Sequence, residues 1–178
     1  MVLKVIGGLV TTVLLAFVAG FIIPSQVHVE RSLLINAPPT EIYSMVSDLG
    51  QWDAWSPWAK MDPDAEMIIS GQGVGQTMEW HSEDPQVGNG TQEIIALESP
   101  NYVNTHLDFG DQGMADALLK LTPQENGTLV SWSLDTDMRA GVPPLMQPIS
   151  TYFGFMMDSM IGKDYEQGLS NLKTLAES

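Results

Sequence analysis

The sequence predicts an α+β fold, an antiparallel sheet with its helices on one face, set behind a single N-terminal membrane helix. Three observations carry this. Six β-like segments follow one another between residues 66 and 136. A helical pattern runs unbroken near the C-terminus, over about 148–176. The chain opens with a long uncharged apolar run. Successive strands followed by a long helix are best packed as an antiparallel sheet with helices segregated to one side.

That opening run is "VIGGLVTTVLLAFVAGFII", residues 5–23, 19 residues without a charge. As a helix it spans roughly 28 Å at about 1.5 Å per residue, close to the hydrocarbon thickness of a bilayer. Lys4 and the amino terminus precede it, and the first acidic residue is Glu30. This arrangement predicts a cytoplasmic N-terminus and an extracytoplasmic domain. A cleaved signal peptide is the rival, but its apolar region is normally shorter, about 7–15 residues, and ends at an A-x-A-like site. Here only "VAG" at 18–20 approaches such a site, so an uncleaved anchor over 1–24 and one domain over 25–178 are expected.

Composition narrows the partners. Hydrophobic residues make up 44% of the chain, enough for a packed core. There are 22 acidic and 7 basic residues, for a net charge of −15. Such a surface repels nucleic-acid phosphate and anionic headgroups, so no nucleic-acid partner is expected. The absence of cysteine excludes disulfides, thiolate metal sites and cysteine nucleophiles.

Within the domain, "VHVERSLLINA" reads as a first strand over about 27–36. Pro38 and Pro39 suit the opening of a helix. Ile42, Met45, Val46 and Leu49 then follow helical spacing, and Gly50 is placed to end it. Next, "QWDAWSPWAK" sets Trp52, Trp55 and Trp58 at three-residue intervals, as one or two short helical turns that Pro57 interrupts at Ser56. The later strands are expected at 66–70, 76–82, 91–99, 102–109, 115–122 and 128–136. Asn89-Gly90 and Asn126-Gly127 signal type I′ turns between them, and this also accounts for their N-x-T sequons.

The C-terminal helix changes phase along its length. Ile149, Phe153, Met156 and Met160 share one face, while Ile161, Tyr165, Leu172 and Leu175 share another, about 100° away. Gly162 at the changeover predicts a kink.

The junction "INAPPTEIY", the segment "SDLGQWDAWSPW", the hairpin "GNGTQEIIALESPNYVNTHLDF" leading to "GTLVSWSL", and the tail "IGKDYEQGLSNLKTLAE" together resemble the START/polyketide-cyclase-like (SRPBCC) superfamily. More closely they resemble its bacterial "polyketide cyclase/dehydrase and lipid transport" group, over residues 27–176. The resemblance implies a helix-grip fold: a curved antiparallel sheet around a long C-terminal helix, with a cavity between them. Relatives bind lipids, sterols, polyketides or other apolar molecules, and a minority are enzymes. In relatives the tryptophan segment lies beside the cavity mouth. It is read here as a clamp from the first helix to the sheet, with Trp58 or Trp55 reaching the rim.

Motifs for chemistry are sparse. His28, His81 and His106 lie on separate segments, and no metalloprotease, nucleophile-elbow, phosphate-loop or dinucleotide pattern occurs. No metal or cofactor is expected. Glu79, His81, His106 and Asp108 offer acid–base groups, but alternation puts them on the solvated face of the sheet. The apolar parity instead directs Met78, Trp80, Leu107, Phe109, Val130, Trp132 and Leu134 inward, under Phe153, Met156, Met157 and Met160 of the helix. Methionine adapts to irregular apolar shapes, as a ligand cavity requires. Binding or transport of a small apolar, lipid-like molecule near a membrane is therefore the favoured reading. Trp55, Trp58, Met78, Trp80, Leu107, Phe109, Trp132, Phe153, Met156, Met157 and Met160 are its candidate ligand contacts. A cyclase, dehydratase or hydrolase in the same cavity, and a protein-interaction module with a vestigial pocket, are the alternatives.

Overall fold

A computed structural model describes residues 2–178, and its elements follow the expected order. Helix α1 (Val2–Ile22) leads into β1 (Gln26–Ile35), α2 (Pro39–Val46), a 3-10 turn (Leu49–Ala54) and α3 (Pro57–Met61). Strands β2 (Glu66–Ser70), β3 (Thr77–His81), β4 (Asn89–Glu98), β5 (Tyr102–Asp108), β6 (Met114–Gln124) and β7 (Gly127–Asp137) precede α4 (Gln147–Ala176). The strands form one curved antiparallel sheet in the order β1-β7-β6-β5-β4-β3-β2, and the long α4 completes a helix-grip fold.

Alternation sets which face is buried. On β6, Ala115, Ala117, Leu119 and Leu121 point into the core, and register places them beside Leu107, Thr105 and Val103 of β5 and Leu134, Trp132 and Val130 of β7. The intervening side chains face water, as a half-covered antiparallel sheet requires.

Several local expectations need correction. α2 ends at Val46 and Ser47, because Asp48 starts a new turn by accepting a hydrogen bond from the Gly50 backbone N–H. Gly50 therefore lies inside that turn and does not end α2. Asn89-Gly90 is no turn: both residues pair with β3, and the connection is the 82–88 loop. Gly90 is required because a Cβ there would strike the Trp80 ring and the Asp108 carbonyl. The β6–β7 hairpin turns at Glu125-Asn126, since Gln124 pairs with Gly127. Only Gly127 of the expected Asn126-Gly127 pair has positive φ, at 132°.

The largest correction concerns α4. Its buried face is continuous through Pro148, Thr151, Gly162, Tyr165, Leu169, Leu172 and Ala176. The apolar stripe Ile149, Phe153, Met156 and Met160 lies on the outside, 45–58% exposed. The expected change of inward face at Gly162 is absent, and the helix runs uninterrupted past it. Gly162 serves a different purpose. Arg31 of β1 crosses beneath it to donate from Nε to Glu166 (2.7 Å) and from Nη1 to Asp158 (2.9 Å), and a Cβ at 162 would land on the guanidinium.

α1 is docked to the domain at its C-terminal end. Arg139 donates to the Gly20 carbonyl (2.9 Å) and the Ile23 carbonyl (2.6 Å), placing a cation where the helix leaves carbonyls unpaired. Tyr152 Oη donates to the Ala16 carbonyl (2.6 Å), and Gly20 lies so close to Pro148 that no side chain fits between them. The rest of α1 is exposed apolar surface, long enough to cross a membrane, a test that a signal sequence also passes.

The Arg31 crossing predicts a context-dependent glycine. A glycine in a helix interior replaced by alanine normally gains about 1 kcal/mol where the added methyl has room. Gly162→Ala should gain this only in an Arg31→Ala background, where nothing is displaced. In the native background the gain should be lost as Arg31 is pushed off its carboxylates. Urea denaturation of the four proteins measures the coupling, and identical effects in both backgrounds would contradict the crossing.

Candidate functional site

The space between α4 and the sheet holds an aromatic cluster drawn from four places in the chain. The 3-10 turn supplies Trp52 and Trp55, with ring centres 4.7 Å apart. Pro57, at the start of α3, swings Trp58 towards them. β7 contributes Trp132 and α4 contributes Tyr165, stacked with centres 3.9 Å apart and planes 6° from parallel. Trp52, Trp55 and Trp58 meet Trp132 edge-on at 6.0, 5.3 and 5.9 Å. Each such pair contributes about 0.5–1.5 kcal/mol beyond simple burial.

The indoles also hold α2. Trp52 Nε1 donates to the Val46 carbonyl (2.9 Å) and Trp55 Nε1 to the Met45 carbonyl (3.2 Å). These carbonyls end α2 and would otherwise lack partners. Asn171 of α4 donates to the Trp55 carbonyl (3.0 Å), closing the link from α2 through the turn to α4. The expected clamp is therefore present.

Among the described residues, one fully buried side-chain polar atom has no hydrogen-bond partner, and it belongs to this cluster. Trp132 is 2% exposed and its Nε1–H is buried without an acceptor. The Tyr165 hydroxyl lies in the same low-dielectric surroundings, and burial, reinforced by the Asp135 carboxylate, drives its pKa upward. Tyr165 is accordingly a neutral donor in the interior and not a base.

Of the eleven candidate contacts, Trp55, Trp80 and Trp132 are buried, while Trp58, Met78, Leu107, Phe109 and Met157 are half-buried. Trp80 and Phe109 form their own edge-on pair at 5.9 Å. Phe153, Met156 and Met160 face solvent, away from the sheet, because Pro148, Thr151 and Gly162 occupy the inward face of α4. Trp52, Tyr165, Gln92 and Thr105 belong to the interior as well. Thr105 shares the parity of Val103 and Leu107, a signal the strand pattern carried. Gln92 Nε2 donates to Thr105 Oγ1 (3.0 Å), a neutral polar pair buried in the inner face.

The expected hollow beneath α4 is filled by Trp52, Trp55, Trp58, Trp132 and Tyr165 in this conformation. The two concavities that stand out lie elsewhere. One, of about 720 Å³, is lined by Asp62, Asp64, Glu66, His81, Glu83 and Asp84. The other, of about 300 Å³, lies over Gln26, His28, Asp135 and Asp137. The first is polar and acidic, and the second is of mixed polarity with two carboxylates, Asp135 and Asp137. Among the described residues, no carboxylate or imidazole is buried in the interior. The histidines lie on the outer face, each beside a carboxylate: His28 with Asp135 (2.7 Å), His81 with Glu79 (3.0 Å) and His106 with Asp116 (2.7 Å). Alternation placed Glu79, His81 and His106 on this face, and they are exposed or half-exposed there.

The sequence profile described as "Polyketide cyclase / dehydrase and lipid transport" matches residues 26–177. No curated protein matches in sequence. Among solved structures, the chain is similar to the di-domain ARO/CYC StfQ of the steffimycin biosynthetic pathway, with TM-score 0.63 and 13% identity. That match covers 85% of this chain and 51% of StfQ, about half its length. A protein from Thermobifida fusca is similar with TM-score 0.62 and 15% identity, over 82% of this chain and 90% of the other. Norcoclaurine synthase from Thalictrum flavum, a point mutant bound to a transition-state analogue, gives 0.60 and 13%, over 86% and 97%. The TM-scores show a shared fold, and at these identities the likeness extends to the fold alone.

The outer-face pairs yield a pH prediction. The hydrogen bond from His28 to the Asp135 carboxylate raises the imidazole above its usual value, and Glu30 adds to this. With the folded value raised, the stabilisation is full below the ordinary histidine pKa of 6.5 and is lost as pH rises through the folded value. An NMR titration should place the His28 midpoint above 6.5, and Asp135→Asn should lower it. No change in that variant would remove Asp135 as the cause.

Proposed function

Since the chain belongs to the polyketide cyclase/dehydrase and lipid transport family, we propose that it binds a small apolar or amphipathic, lipid-like molecule beneath α4, held near a membrane by α1. The observation that carries this reading is the orphan Trp132 Nε1–H. A buried donor left unpaired costs about 1–3 kcal/mol, and native proteins seldom keep one without a use. Here it stands among four other aromatic rings, where a ligand hydroxyl or carbonyl oxygen would supply the missing acceptor and the rings would cover the apolar remainder.

Entry requires a ring to move. Trp58 is the half-buried member of the cluster and stands on the five-residue α3. Its displacement uncovers the Trp132–Tyr165 stack, against which it otherwise packs edge-on at 5.9 and 6.3 Å. Binding then gains about 25 cal/mol per Å² of apolar surface buried, offset by the ordering of ligand and side chains. Neutral inner groups such as Gln92, Thr105 and Tyr165 suit uncharged or weakly polar ligands.

Organic extraction of the purified full-length protein, followed by mass spectrometry, should yield a stoichiometric apolar compound. Titration with a brominated fatty acid should quench the intrinsic tryptophan fluorescence. Trp132→Phe keeps an aromatic ring but removes the donor, and should weaken binding roughly fivefold, the equivalent of about 1 kcal/mol. An extract without such a compound, together with no quenching by the fatty acid, would end the proposal.

A further inference from the structure

The outward face of the first half of α4 is the feature the binding reading leaves unused. Ile149, Phe153, Met156 and Met160 fall within an arc of roughly 60° at 100° per residue, and they are 45–58% exposed. Phe155 (69%) and Leu145 (72%), the latter just before α4, add exposed apolar surface outside this arc. In a chain of net charge −15, residues 140–157 carry no charged side chain at all. Burying glycine, threonine and proline while exposing phenylalanine and methionine reverses the usual order for a helix in water.

Three observations identify what covers the patch. It is continuous with α1, because Tyr152 is bonded to the Ala16 carbonyl and Pro148 abuts Gly20. Arg139 fixes that contact by holding the last turn of α1. Finally, on the side of the helix that carries the stripe, charged side chains return only where it ends, at the exposed Lys163 and the half-buried Asp164, three and four residues after Met160.

We infer that the outward face of α4 from Ile149 to Met160 lies in the acyl–headgroup boundary of the bilayer that α1 enters, so that the domain is seated on the membrane at two places. This rests on α1 being a membrane anchor, as proposed above. Interfacial helices bury an apolar face about 5–10 Å deep, which fits a stripe that carries no charged side chain between Ile149 and Met157. Seated this way, the N-terminal half of α4 has lipid on one side and β1 of the sheet on the other.

The chain has no cysteine, so single-cysteine probes report cleanly. Phe153→Cys, Met156→Cys, Val13→Cys on α1 and Ser32→Cys on the outer sheet face would each carry an environment-sensitive fluorophore. Each full-length protein is reconstituted in phosphatidylcholine vesicles and exposed to aqueous iodide or to lipids brominated either near the headgroup, to report on 153 and 156, or near the acyl-chain end, to report on 13. Positions 153 and 156 should lose iodide access and be quenched by bromolipid, whereas position 32 should show the reverse. Quenching by bromolipid at 13 with open iodide access at 153 and 156 would overturn this inference and leave the anchor standing. Protection of 153 and 156 from both quenchers would assign the face to a protein partner or a second copy, and would also overturn it. Absence of bromolipid quenching at 13 would remove the anchor itself, and this inference with it.

Discussion

The stack of Trp132 on Tyr165 is the contact on which the remaining architecture depends. It joins the next-to-edge strand β7 to the middle of α4, and every other ring of the cluster is placed against it. Trp52 and Trp55 lean on Trp132 with their ring edges and spend their N–H groups on the last carbonyls of α2. A single aromatic contact thus sets the spacing between helix and sheet, the position of α2 and the direction of the chain into β2. The tryptophan repeat at residues 52–58 exists because a turn of this kind must present indoles to a helix end and to a sheet at once.

Charge is distributed with equal economy. Many acidic residues lie on the outer face of the sheet and its loops, where several pair with the few histidines, and others lie on the helices. The interior is neutral, and so is the outward face of α4. Two of the few cations are placed where one positive charge meets several oxygens: Arg139 on the end of α1, and Arg31 between Asp158 and Glu166. An acidic domain can lie against a membrane only through surface that carries no carboxylates, and residues 140–157 provide such a surface.

Strand order and inward parity were legible in the sequence because side-chain alternation has a fixed period and one buried face. Met78, Trp80, Leu107 and Trp132 point where that alternation sends them. The turns were less legible. Asn-Gly pairs satisfy a tight turn, but Gly90 exists to accept the Trp80 ring and Gly127 to begin a strand just after the turn, and neither need is local. The partners of Arg31 lie more than a hundred positions away, so Gly162 resembled a helix weakness until β1 was seen to run beneath it. The filling of the interior was hidden for a related reason. Side-chain parity says which residues face inward but not whether they meet.

The error over Phe153, Met156 and Met160 exposes a general limit of periodicity. A helical stripe of apolar residues shows that one face meets a nonaqueous neighbour, and it is silent about whether that neighbour is protein or lipid. Small residues on the opposite face carry the missing information. Gly154 and Gly162 bring α4 close to Val27 and Arg31 of β1, and Pro148 packs against Gly20 of α1, approaches that phenylalanine and methionine would prevent. The pairing of a small-residue face with an aromatic and thioether face therefore fixes the sidedness of the helix: the sheet takes the small side, and the large side is left exposed.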